Sequence, residues 1–204
     1  DLNIPGALHL AVLRSPHAHA KIIAIDTTAA LGSPGVVAVY SGADLRSMWA
    51  GPMPCAWPVT ADMKNPPHFP LAVSTVNYVG DGVVAVLATS ETASRDALDL
   101  IEVKYETLKA VVDLEEALTD NVIVHEDLGT NKSYTWNLKV EASENCVEEA
   151  FKSAAYTVSE RYVQQRLLPM AMEPRAVAAV PQPFGGDITL YSATQVPHIL
   201  KVMA

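Results

Sequence analysis

An α+β chain in two parts is what this sequence predicts. Strand-like and helix-like runs interleave along its length, and 50% of its residues are hydrophobic, enough for a real core. A polar, weakly patterned stretch from Thr119 to about Asn145 separates an earlier block of elements from a later one and reads as a linker.

Ala7–Arg14 alternates loosely and is rich in Leu and Val, a strand that Ser15-Pro16 breaks. Lys21–Asp26 is a second strand. A short helix follows over Thr27–Leu31, capped by Thr27 or Asp26 and stopped by Gly32. Val36–Tyr40 is a third strand and Gly42–Leu45 a helical turn. Ser47–Phe69, with five prolines and two Trp, is an irregular loop of a length usually kept for function or contacts. Val76–Val79 and Val83–Ala88 read as strands around a Gly80-Asp81-Gly82 turn. Glu91–Ile101 is the best helix, with Ala93, Ala97, Leu98 and Ile101 on one face and Ser90 or Thr89 as cap. Val103–Tyr105 is a strand and Asp113–Leu118 a short helix. Beyond them come a strand at Tyr134–Val140, a helix at Cys146–Ala154 capped by Asn145, and a long strand at Tyr156–Gln165. Ala176–Val180 and Ile188–Tyr191 make a hairpin around Pro183-Phe184-Gly185-Gly186. Pro197 then opens a helix, where its missing N–H costs nothing.

Composition narrows the function. A formal net charge of −9 argues against nucleic acid, whose phosphates need a basic face, and against docking to an anionic membrane. No apolar run approaches the roughly 18 residues that span a bilayer. Asp1-Leu2-Asn3-Ile4-Pro5 lacks the basic start and apolar stretch of a signal peptide, and both ends look cut, so the chain reads as a fragment. Cys55 and Cys146 are far apart and show no ligand spacing, which fits free thiols in a reducing cytoplasm. Gly185-Gly186 precedes no helix, so no dinucleotide loop is present.

Four sets of residues invite a chemical reading. His17 and His19 would share one face of a strand and present two imidazoles, but no third ligand lies nearby, and hydrogen-bonded histidines in a turn are preferred. Met170 and Met172 are thioethers suited to soft metals, although adaptable packing is the commoner use. Glu173 and Arg175, separated by Pro174, form either a surface pair of little worth or a buried pair that shapes a site; both readings stay open. Gln195 lies between a strand and a helix start, where side chains often meet ligands, and its neutral amide can donate to an oxo group without adding charge.

Two segments carry a resemblance: Gln165-Arg166-Leu167-Leu168-Pro169-Met170-Ala171-Met172-Glu173-Pro174-Arg175 and Tyr191-Ser192-Ala193-Thr194-Gln195-Val196-Pro197-His198. Together they resemble the opening of the molybdenum-cofactor domain in the large subunit of the xanthine dehydrogenase, aldehyde oxidase and aerobic carbon-monoxide dehydrogenase family. The first half resembles the family's α/β hammerhead domain. It does so through Ile4-Pro5-Gly6-Ala7-Leu8-His9, Arg14-Ser15-Pro16-His17-Ala18-His19-Ala20-Lys21-Ile22, Pro34-Gly35-Val36-Val37-Ala38-Val39, Val76 to Val86, and Val103-Lys104-Tyr105-Glu106-Thr107-Leu108 followed by Val111-Val112-Asp113. Their order and spacing carry more weight than any single piece.

The resemblance implies a hammerhead domain over residues 1–118. Residues 119–204 would be a linker and the truncated N-terminal part of a mixed α/β molybdopterin-binding domain. It implies hydroxylation of an aldehyde or N-heterocycle carbon, or oxidation of carbon monoxide, with water as oxygen source. The cofactor would be molybdopterin in its cytosine dinucleotide form, with FAD and [2Fe-2S] clusters on partner subunits or domains. Gln195 matches the glutamine that hydrogen-bonds a molybdenum oxo ligand, while Glu173 and Arg175 would help shape the domain nearby. The family's later glycine-rich segment and its C-terminal glutamate base have no counterpart here. No catalytic residue and no metal ligand is therefore expected in this chain, which alone would be inactive. Gly82 stands where the family often has proline, and the strand normally just upstream of Asp1 is absent. Expected partners are the remainder of the molybdenum subunit, the FAD-binding and iron–sulfur subunits and a small-molecule substrate, in a cytoplasmic oligomer. Nucleic acid and membrane are not expected. Two other readings are a stand-alone hammerhead module for assembly or cofactor delivery and a small His-based metalloprotein.

Overall fold

Residues 4–53, 59–137 and 146–203 are described by the computed structural model of the chain. Contacts divide it into two units, Asp1–Glu141 and Ala142–Ala204.

The first unit runs β1 (His9–Arg14), β2 (Ala20–Asp26), α1 (Thr28–Leu31), β3 (Val36–Ser41), α2 (Gly42–Leu45), β4 (Thr75–Val76), β5 (Gly82–Ala88), α3 (Glu91–Asp96), β6 (Glu102–Thr107) and α4 (Leu114–Ala117). Two antiparallel three-stranded sheets result, in the orders β1-β5-β3 and β4-β2-β6. Strand β5 reads as a continuous apolar run because it is central and covered on both faces: every residue from Gly82 to Val86 is buried. Val83, Val84 and Val86 join Ala20, Ala30, Ala72, Val76, Ala97 and Ile101 in one core cluster. Each fully buried valine contributes about 1.5–3 kcal/mol.

Local chemistry fixes the helix starts. The Asp26 carboxylate accepts from Thr28 N–H at 2.9 Å, and Ser90 Oγ accepts from Ala93 N–H at 3.1 Å. Ser41 and Asp44 form a reciprocal capping box that opens α2. The Asp113 carboxylate accepts from both Glu115 and Glu116 N–H at the start of α4. Gly42 is required by a close approach: a Cβ there would collide with the Ala72 carbonyl.

Four expectations are corrected. The helix predicted over Glu91–Ile101 is α-helical only to Asp96 and tightens into a 3₁₀ turn at Ala97–Leu100, although Ala97 and Ile101 are buried as its pattern required. The strand predicted over Val76–Val79 shrinks to Thr75–Val76, because it pairs with β2 in the other sheet and the chain then turns away. No strand forms over Tyr156–Gln165, where every residue is exposed. A strand needs a partner for its N–H and C=O groups, and none of the described strands pairs with this segment. Residues 134–137 are not a strand either, and 138–140 lie outside the described residues, as do Asn145, Cys55 and Trp57.

The stretch after α4 is anchored rather than loose up to Ser133. Asp120, in the left-handed region at φ 55°, accepts from Thr130 Oγ1 at 2.6 Å and from Asn131 N–H at 2.7 Å. The Asn131 amide donates to the Ala117 and Val122 carbonyls and accepts from Val124 N–H. Lys64 N–H donates to the Ser133 carbonyl, and Ser133 Oγ donates to the Lys64 carbonyl.

The second unit holds α5 (Cys146–Ser153), β7 (Val177–Pro181), β8 (Ile188–Ser192) and α6 (Pro197–Met203). β7 and β8 form the expected hairpin, in register from Val177↔Ser192 to Pro181↔Ile188. Gly185 and Gly186, both at positive φ, make the reversal that side-chain-bearing residues rarely adopt. Pro181 closes β7 at its end, a position where its lost donor is tolerated.

Candidate functional site

In the second unit the hairpin positions the residue singled out by sequence. β8 ends at Ser192, Ala193 N–H donates to the Ala176 carbonyl beside β7, and Val196 N–H donates to Thr194 Oγ1 at 3.1 Å just before α6 begins. Gln195 is held between these fixed points, exposed, and its amide has no hydrogen-bond partner among the described residues. A strand end followed by a Pro-started helix leaves that amide free to donate outward. Glu173 and Arg175 are exposed and make no ion pair with each other, which decides their alternatives in favour of the surface within this chain. Met170 and Met172 are likewise exposed, at 83% and 101%.

The first unit has a cleft of about 430 Å³ beside β2 and β4, bordered by His19, His68, Asn77, Asp81 and the turn at His125–Asp127. His17 and His19 do not act as a pair. They lie in a turn ahead of β2, where the shared-face geometry of a strand does not hold. The His17 ring stacks edge-on against Tyr105 at 4.9 Å, whereas His19 is buried and its Nδ1 donates to the Lys109 carbonyl at 3.0 Å. Burial pushes the His125 imidazole below its ordinary range; Asp127 pulls it partly back, and His19 and His68 push it further down. Among the described residues, no group of three His, Cys, Asp or Glu side chains is placed to hold a metal ion. Cys146 is a free thiol.

Sequence reasoning missed this cleft. His68 sits in a stretch read as irregular loop and His125 in one read as linker, and neither carried a motif. The available signal was the density of Asp and Asn between Asp120 and Asn131, which brace a turn by side-chain-to-backbone bonds.

The chemistry of the donors bears on what the second unit can hold. One exposed neutral amide between the end of β8 and the start of α6 can donate to a single oxo or carbonyl acceptor.

Residues 1–109 match the family model described as "Aldehyde oxidase and xanthine dehydrogenase, a/b hammerhead domain", and residues 124–204 match "Molybdopterin cofactor-binding domain". The chain belongs to the aldehyde oxidase and xanthine dehydrogenase family.

Its relatives include the nicotine 6-hydroxylase large subunit of Paenarthrobacter nicotinovorans, 34% identical over 99% of this chain and 24% of that protein. The carbon monoxide dehydrogenase large chain of Hydrogenophaga pseudoflava is 30% identical over 100% of this chain and 26% of its own length. Among solved structures, quinoline 2-oxidoreductase from Pseudomonas putida 86 superposes with a TM-score of 0.88 at 32% identity, covering 100% of this chain and 25% of that one. This chain thus spans about a quarter of the length of the relatives it matches. Among the described residues, no helix is long and apolar enough to cross a membrane.

Proposed function

We propose that this chain is the N-terminal part of the large subunit of a molybdenum hydroxylase, with the hammerhead over residues 1–118 and the molybdopterin-binding domain beginning in 119–204. The observation that carries the reading is the tandem match of two domains, in the family's order, along nearly the whole chain. The reaction class is oxidation of an N-heterocycle or aldehyde carbon, or of carbon monoxide, with water as oxygen source. Relatives named for nicotine and quinoline favour the N-heterocycle.

Molybdopterin, as its cytosine dinucleotide, supplies the redox and oxygen-transfer chemistry when bound. Gln195 would help hold the molybdenum cofactor, its neutral amide donating a hydrogen bond and orienting the group without adding charge. It is a positioning residue, and the residue that activates the oxygen is supplied from outside this chain. FAD-binding and iron–sulfur subunits take the electrons, in a cytoplasmic oligomer. Tyr162, Leu167, Leu168 and Met172, all more than three-quarters exposed, meet the remainder of the large subunit.

The test is turnover of quinoline and nicotine by the full-length protein, purified with its partner subunits, in oxygen-isotope-labelled water. Product carrying the label, with stoichiometric molybdenum in the protein, is the expected result. Absence of molybdenum and of turnover would instead place the chain among assembly modules.

A further inference from the structure

Three histidines from three separate segments border the cleft beside β2 and β4: His19 just ahead of β2, His68 in the loop before β4, and His125 in the stretch after α4. Two of them sit against the body of the unit. His19 is buried and donates from Nδ1 to the Lys109 carbonyl at 3.0 Å, and the His68 ring lies 6.0 Å from that of Tyr78. The third rides on a segment with lighter moorings. No residue between 119 and 133 is buried. Its 3₁₀ turn, Glu126–Leu128, ends at Gly129 in the left-handed region. Lys64 ties the segment to the loop: its N–H donates to the Ser133 carbonyl at 3.0 Å, its carbonyl accepts from Ser133 Oγ at 2.6 Å, and its exposed Nζ donates to the Leu128 carbonyl at 3.2 Å. A segment with no buried residue and exposed hydrogen bonds opens more readily than a covered central strand such as β5.

The cleft opposes a charge on that segment. A proton on His125 is resisted first by burial; Asp127 favours it, and His19 and His68 resist it again. The other charged groups bordering the two clefts that His125 lines are Lys21, Asp81 and Glu126 in the first, and Lys64 and Lys132 in a second of about 300 Å³. Opening the segment returns water to the imidazole and takes it away from His19 and His68, so the open form holds the proton more tightly than the closed one. The closed form is therefore fully favoured above the ordinary 6.5 and loses ground as pH falls through the value His125 has when closed.

We propose that residues 119–133 are a pH-released clasp: protonation of His125 against His19 and His68 frees the segment from the cleft while the two sheets stay folded. The device is separate from Gln195 and does not depend on the cofactor reading.

The experiment is amide hydrogen exchange on the full-length protein at about pH 7.5 and about pH 5.5, read peptide by peptide as protection factors, which remove the intrinsic pH dependence of exchange. Protection over residues 119–133 falls by about three-fold or more at the lower pH, with that of Gly82–Ala88 unchanged. His125→Asn abolishes the fall. Asp127→Asn, at an exposed position, deepens it by removing a carboxylate that favours the proton, and decides the matter where His125→Asn fails to fold. Equal protection at the two pH values, an equal loss over Gly82–Ala88, a fall that survives His125→Asn, or one that Asp127→Asn leaves unchanged or makes shallower would each overturn the proposal.

Discussion

In the first unit nine apolar residues, from Ala20 to Ile101, share one buried cluster, whereas in the second unit no described residue is buried at all. Both units have regular elements. The difference is in what holds them. β5 is a central strand, paired on both sides and covered on both faces. The β7–β8 hairpin is paired once and covers little, and an isolated two-stranded hairpin is marginal in water. Hydrogen bonding and turn chemistry therefore suffice to define the shape of the second unit, but its stability has to come from surface beyond it. This chain spans about a quarter of the length of the relatives it matches.

The contrast can be broken or sharpened by substitution. The largest effect is expected at Gly42→Ala, whose new methyl meets the Ala72 backbone carbonyl and has no flexible side chain to displace. Overpacking of this kind costs about 1–3 kcal/mol, read as a lower urea midpoint. Val84→Ala, at the centre of β5, costs about 2 kcal/mol through lost burial and the cavity left. Lys152→Ala, exposed on α5, shifts the midpoint by no more than about 0.5 kcal/mol. Comparable losses at Val84 and Lys152 would erase the distinction between the units.

Asn131→Ala removes one acceptor and two donors that tie the segment after α4 together, at about 1–2 kcal/mol. Faster amide exchange confined to residues 117–131 is the signature. The smallest effect is on pH dependence. His125 titrates lower in the folded state than in the unfolded one, so its contribution to stability is complete above the ordinary 6.5 and is lost as pH falls through the folded value. His125→Asn flattens the fall in urea midpoint below about pH 6.5. An unchanged slope would show that His125 is not desolvated as placed. Asp120 acts in the same direction only at lower pH: hydrogen bonds from Asn131 N–H and the Thr130 hydroxyl hold its carboxyl below the ordinary 3.8.

The sequence made the first unit legible because its periodicities had local causes. The valine run of β5, the Ser90 cap and the Ala97–Ile101 face each follow from neighbouring residues. Tyr156–Gln165 was read as a strand from its apolar and β-branched content, but pairing is a tertiary fact that content cannot supply. The cleft was hidden for the same reason: His19, Asn77 and His125 border it from segments far apart in sequence, and only tertiary placement brings them together. Gln195 was legible only through resemblance. As a residue it is one exposed amide, and its meaning lies in where a strand ends and a helix starts.

The most direct test of that meaning is to substitute Gln195→Ala in the full-length protein and measure kcat, KM and molybdenum content together. If the amide orients the cofactor and not the substrate, as proposed, the variant loses about 10–100-fold in kcat or in molybdenum retention, with KM little changed. Full activity with full molybdenum content would contradict it, and would leave Gln195 as a surface residue beside a helix.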